Sequence, residues 1–210
     1  MVDVINLPLV PFAQCEFDPI RPSNTERMEG RRVESQSTGT PYWTAKYRTG
    51  FLTREQSGLM SAFRTLCADN GGVFLAYDID RQKPLKYLGG FPAGFSGQGN
   101  VRSFLNSRSI DADGLPPYFE LVPGDYLEIR RTTLVRSLHL VTQPVIASAA
   151  GRATVNFNYP IDLQHFKVPC SVHFGQASCL MQIDPGSWSA SKSMQDRPVS
   201  FSATEMFFYE

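Results

Sequence analysis

The stretch YWTAKYRTGFLTREQSGLMSAFRTLCADNGGVFLAYD (residues 42–78) decides the fold, because its hydrophobic period changes twice with almost no loop between. From Tyr42 to Leu52 the residues alternate. Tyr42, Thr44, Lys46 and Arg48 fall on one side, and Trp43, Ala45, Tyr47 and Thr49 on the other. Aromatic and β-branched side chains at that period suit a strand, and Gly50 marks a bulge or bend. Thr53 and Gln56 then stand at capping-box spacing, where each side chain satisfies a free backbone N–H of the first helical turn. Leu59, Met60, Phe63, Leu66 and Cys67 recur at i, i+1, i+4, i+7 and i+8, one apolar stripe of a helix lying on a sheet. The spacing predicts a helix over 53–68 with Leu59, Phe63 and Leu66 buried. Asn70-Gly71-Gly72 stops it, since Asn and Gly tolerate a left-handed cap. Val73–Asp78 reads as a buried strand, so the unit is strand–helix–strand.

Outward from this unit the chain is rich in strands. Residues 2–10 and 12–17 read as extended, PIRPSNTERMEGRR (19–32) as charged loop, and 31–37 as a short strand. Between 81 and 119, Gly89, Gly90, Gly94, Gly97, Gly99 and Gly114 sit among Ser, Asn and Arg. That composition predicts a long irregular connection, and such loops are commonly functional. Pro123-Gly124 fits the centre of a type II turn. Strands at 126–130, 134–143 and 153–159, with a tight turn at Ala150-Gly151-Arg152, predict a meander, and 166–184 and 199–209 supply the last strands. The expected fold is mainly β with one principal α-helix (α+β): a β-sandwich or barrel-like core, helix 53–68 packed on a sheet, and an inserted meander. The expected domains are a core of 1–88 plus 160–210 and an inserted subdomain of 89–159.

Composition bounds the function. At 210 residues, with 42% hydrophobic and 19% charged side chains, the chain builds its own core. Twenty basic and 20 acidic residues cancel, which argues against sequence-independent phosphate binding. Apolar runs such as 73–77 are far shorter than the roughly 20 residues of a membrane span. The segment MVDVINLPLVPF lacks the basic start and small-residue cleavage site of a signal peptide. Folding in cytoplasm is therefore expected, with Cys15, Cys67, Cys170 and Cys179 reduced.

No constellation carries recognisable chemistry. His165, Cys170, His173 and Cys179 invite a zinc reading, but H-x4-C-x2-H-x5-C matches no familiar structural site. On a strand Cys170 and His173 would point to opposite faces, and Cys170 would join Val172 and Phe174 as a buried thiol. His139 is expected to be a half-exposed strand histidine. It would serve as a base only beside a nucleophile or metal, and the sequence places neither there. Asp111-Ala112-Asp113-Gly114 lacks the further oxygen ligands of a calcium loop and reads as a turn. Asp78 and Asp80 end a strand as solvated acids. Gly97-x-Gly99 lacks the Lys-Ser/Thr and following helix of a phosphate loop, and Arg102 and Arg108 are expected in solvent or at a subunit contact. Catalytic, cofactor and metal residues are accordingly expected to be none.

The 42–78 block resembles the N-terminal part of distal tail proteins of long-tailed bacteriophages and related prophages. There a "W-x-A-x-Y" strand leads to a helix of pattern "L-x-x-x-[EQ]…L…AF…L", and a strand with Phe then ends in Asp. LVPGDYLEIRRTTLVRSLHLVTQPVIASAAGRATVNFNYPI (121–161) is similar to a second motif of these tail-tip proteins. The matching positions are Leu121, Pro123, Gly124, Asp125, Leu127, His139, Ala147, Gly151, Ala153, Thr154 and Pro160. The likeness spans roughly two-thirds of the chain, and likeness of fold alone does not fix function.

The resemblance implies a structural virion protein without enzymatic activity, assembled in the bacterial host cytoplasm and residing at the tail tip. Such proteins form a ring, usually of six copies, that joins the tail tube protein to the hub or fibre proteins and lets DNA pass without specific binding. It implies no cofactor and no membrane insertion. The 89–117 loop would then reach a neighbouring copy. Two other readings compete. One is a monomeric β-rich carbohydrate- or receptor-binding module using Trp43, Trp188 and the tyrosines. The other is a tail-associated hydrolase, for which His139, His165 and His173 are the only histidines.

Overall fold

A computed structural model of the chain describes residues 2–27, 33–69, 71–191 and 197–209. Within them the fold is mainly β with one short α-helix. The strands are β1 (Val4–Asn6), β2 (Phe12–Ile20), β3 (Ser23–Arg27), β4 (Val33–Ser37), β5 (Tyr42–Thr49), β6 (Val73–Ala76), β7 (Gln98–Asn106), β8 (Ser109–Asp113) and β9 (Glu120–Leu121). They continue as β10 (Tyr126–Arg130), β11 (Arg136–Leu140), β12 (Val145–Ile146), β13 (Ala153–Asn156), β14 (Cys170–His173), β15 (Cys179–Ile183), β16 (Ser189–Ala190) and β17 (Val199–Glu205). The first sheet runs β1-β6-β15-β17-β5-β2, with β16 added to β17; the second runs β11-β10-β14-β7-β8-β13. The β1–β6 pair is parallel and the remaining pairs of both sheets are antiparallel.

The strand–helix–strand unit forms as its pattern predicts. Trp43, Ala45, Tyr47 and Thr49 are buried. Helix α1 (Arg54–Arg64) begins with the reciprocal cap: Gln56 N–H donates to Thr53 Oγ1 at 3.2 Å, and Thr53 N–H donates to Gln56 Oε1 at 3.0 Å. The last turn widens into a π turn at Thr65–Asp69, and Gly72 N–H closes it on the Leu66 carbonyl. The buried stripe differs from the expected one. Met60, Phe63 and Cys67 are buried, whereas Leu59 and Leu66 are 56% and 46% exposed. At 3.6 residues per turn, Leu59 and Leu66 lie about 100° round the helix from Met60 and Cys67, on the flank of the contact. Phe63 packs edge-on to Phe74 at 5.2 Å and against Phe201 at 5.8 Å, fixing α1 to the first sheet.

The second sheet corrects three expectations. Residues 98–113 are a long hairpin, β7–β8, not an irregular connection. Gly99 is buried there because strands crowd it: a Cβ would lie 2.8 Å from the Asp113 carbonyl oxygen and 3.3 Å from Val172. Gly97 and Gly99 therefore serve close packing, whereas a Cβ at Gly89, Gly90 or Gly94 would meet nothing within 4 Å. The three later strands are not a simple meander, because β13 pairs with β8 and meets the far side of β11 only at Val141–Phe157. Finally, β14 fills the slot between β10 and β7, with Ile129 and Gly99 flanking Val172. The second sheet thus takes in Cys170–His173, beyond the expected boundary at 159, and the chain re-enters the first sheet only at β15.

Strand β10 is a wall common to two cores. Leu127 and Ile129 face the core of the second sheet, while Tyr126 joins Phe17 and Trp43 in the first. Trp43 Nε1 donates to the Leu138 carbonyl on β11 at 2.9 Å. Glu128, fully buried, accepts from Ser178 N–H and Oγ at 3.1 Å each, immediately before β15. The two sheets are therefore locked by an aromatic cluster at one place and by a buried carboxylate at another.

Candidate functional site

The histidines and cysteines that suggested a metal are dispersed by the fold. Cys170 faces the second core beside Val172, and its Sγ donates to the Lys167 carbonyl at 3.0 Å. His173, on the other face of β14, pairs with Ser171 Oγ at 2.9 Å. Burial lowers its pKa. Cys179 is in the first core, where burial pushes its thiol well up. His165 packs on Tyr209 with ring centres 4.1 Å apart, tilted by 40°, and lies 3.8 Å from Asp162. All four cysteines are free. Among the described residues, no three His, Cys, Asp or Glu side chains gather to hold a metal ion.

The acid pairs are also structural. Asp78 is not a solvated strand end: its carboxylate accepts from Asp80 N–H, Arg81 N–H and Tyr126 O–H, and Arg81 lies over the Tyr126 ring. Asp111 and Asp113 belong to β8 rather than a turn, and Arg102 pairs with Asp111 at 3.5 Å. Only Gly114 turns, at φ +75°. Among the described residues no helix is long and apolar enough to cross a membrane.

His139 departs most from expectation. It is 1% exposed, its ring centre lies 4.3 Å from that of Phe157 at a 40° tilt, and neither ring nitrogen has a hydrogen-bond partner. Burial lowers its pKa to about 3, so it stays neutral. Strand alternation places Val135 and Val141 beside it but does not show that the chain following β13 pairs back at Val141 through Phe157.

His139 borders a cleft of about 610 Å³ where the two sheets meet. Trp43 and Glu205 wall it from the first sheet and Leu138 from the second, and Phe166 and Arg21 also line it. Glu205 is buried, accepts from Trp43 N–H at 2.9 Å, and is pushed by desolvation to a pKa of about 8. Among the described residues no cation pairs with it, so burial dominates its ionisation.

Compared with known proteins, the chain matches no protein-family model and no curated protein sequence.

Two surface features remain. The first is the β3–β4 ribbon: β4 falls within the strand expected over 31–37, whereas β3 lies in the stretch 19–32 read as charged loop. All ten of its residues are exposed, and it pairs only with itself. The second is the outer face of the first sheet. Lys46 and Arg48 on β5 face outward between Glu16 and Gln14 of β2 and Ser202 and Ser200 of β17. This face is polar and nearly balanced in charge, with Lys46 paired to Glu16 at 3.0 Å.

Proposed function

We propose that this chain is a structural protein of a long-tailed phage tail tip, acting as a subunit of a homo-oligomeric ring between tail tube and hub or fibre proteins. The observation that carries the reading is the β3–β4 ribbon. A two-stranded ribbon with no buried face is marginal in water on its own, so a stable role for it calls for another surface. The resemblance at 42–78 and 121–161 supplies the kind of assembly. Zero net charge suits a lumen that DNA crosses without being held. Buried locks between the sheets suit a subunit that transmits load as one body. In this role the protein carries no catalytic residue or cofactor, assembles in the host cell and ends in the virion.

The cleft between the sheets favours a second reading, a binding module for a carbohydrate or receptor, because Tyr159, Phe207 and Tyr209 line it beside Arg21 and Arg108. The tryptophans speak against a sugar platform: Trp43 is 2% exposed, and Trp188 is stacked on Phe201 at 5.2 Å.

Light scattering on the purified chain, with negative-stain images of the same sample, separates the two. A closed ring with a lumen wide enough for duplex DNA is expected. Replacing 23–37 by a short Gly-Ser turn should leave a folded monomer. A wild-type monomer that binds glycans would overturn the ring.

A further inference from the structure

Ribbon and sheet face carry opposite halves of one contact. Glu26 and Glu34 are directly opposed partners across β3 and β4, so both carboxylates leave the same face of the ribbon. Asn24 and Gln36, two residues along, share that face. Like charges directly opposed destabilise a strand pair. Neither acid has an ion-pair partner among the described residues.

The outer face of the first sheet holds a groove in two contiguous parts, of about 340 and 260 Å³. Arg48 and Ser200 line both parts, Lys46 and Ser202 the first, and Ser189 and Ser191 the second. Arg48 is exposed and, unlike Lys46, has no ion-pair partner among the described residues. The groove is thus a polar channel with one uncommitted guanidinium at its centre. A planar guanidinium offers a fork of donors suited to carboxylates.

We infer that the β3–β4 ribbon of one copy seats in the Arg48 groove of the next, with the Glu26–Glu34 pair on the guanidinium. This rests on the ring reading above and names its subunit contact. Arg48 neutralises the repulsion that the ribbon carries alone, and the polar residues of the ribbon meet hydroxyl groups rather than an apolar surface. Donor and acceptor are different surfaces of one chain, so the contact is head-to-tail, the type that closes into rings.

The test is a charge swap in the full chain, with self-association followed by sedimentation up to millimolar protein and folding checked by thermal melts. E26R/E34R keeps a like-charge pair on the ribbon, so its intrinsic stability is matched to wild type. E26R/E34R and R48E should each weaken association by about tenfold or more, and the triple variant should recover most of it. Association unchanged by either reversal overturns this contact and leaves the ring standing. A triple variant no better than its parents overturns the pairing of these residues. Weakening by R48E alone, with E26R/E34R unchanged, overturns the ribbon as the occupant of the groove. A wild-type chain monomeric throughout overturns both the contact and the ring.

Discussion

Glu128 and Arg136 meet diagonally across β10 and β11 in a pair closed to water: Arg136 Nη1 lies 3.2 Å from Glu128 Oε1, and their side chains are 0% and 3% exposed in that order. Arg130 Nε reaches the same oxygen at 2.7 Å. The other carboxylate oxygen takes two bonds from Ser178, and Arg136 spends its remaining donors on the Thr133 carbonyl and Ser178 Oγ. Burial lowers the Arg136 pKa although Glu128 opposes that. The network ties the second sheet to the start of β15.

Glu128→Ala should therefore destabilise the protein by about 3–5 kcal/mol, since it strands a buried guanidinium and the Ser178 N–H together. Glu128→Gln, which can still accept from Ser178, should cost less. Denaturant unfolding measures both. A cost below about 1 kcal/mol for the alanine variant would show that the sheets are not coupled through this carboxylate.

The helix makes a sharper comparison, because three apolar residues of similar pattern have different surroundings. Phe63→Ala should cost about 3–5 kcal/mol, as it empties the space between Phe74 and Phe201. Leu59→Ala and Leu66→Ala should each stay near 0.5 kcal/mol or less, roughly the range of surface substitutions. Equal losses at all three positions would place the helix contact one residue earlier than the structure has it.

That one-residue offset illustrates what the sequence could and could not convey. The cap at Thr53, the stripe period and the alternation of β5 are local, and each is legible in a few consecutive residues. Leu59 and Met60 are adjacent and equally apolar, so only the sheet beneath decides which is buried. The β7–β8 hairpin was hidden for a related reason. Gly97 and Gly99 look like flexible punctuation, and only the approach of Asp113, Val172 and Phe91 shows why they must be small. Of the ribbon, β4 was legible as the short strand over 31–37, whereas β3 was hidden because an exposed strand has no hydrophobic period to read. The metal-like set from His165 to Cys179 failed for want of geometry, as the strand alternation at Cys170 and His173 already indicated.

Glu205 gives the fold a pH dependence. Its carboxyl has a pKa of about 8 in the folded state against an ordinary 4.5, because burial penalises the charged form. The folded state thus holds the proton more tightly than the unfolded chain. The resulting stabilisation is full below pH 4.5 and is lost as pH rises through 8. Glu205→Gln removes the ionisation while keeping an acceptor for Trp43 N–H. The variant should melt higher than wild type above pH 8 and show no such advantage near pH 4. Melting curves that stay parallel across this range would show that Glu205 is ionised in the folded protein.

His139 acts at the other end of the pH scale. Desolvation lowers its pKa from 6.5 to about 3, so its contribution is present above pH 6.5 and is lost as pH falls toward 3. Even when neutral it carries a cost, since a buried donor and acceptor without partners forfeit their hydration, about 1–3 kcal/mol for such a group. Phenylalanine keeps a flat ring against Phe157 and removes both polar atoms. His139→Phe should therefore raise stability at pH 7, and the gain should widen as pH falls below 6.5, where wild type must resist protonation. Unfolding free energies at pH 7 and pH 5 provide the check. A loss of stability on substitution would show that the imidazole nitrogens are engaged in the folded protein, and would move His139 from the core to the working surface of the cleft it borders.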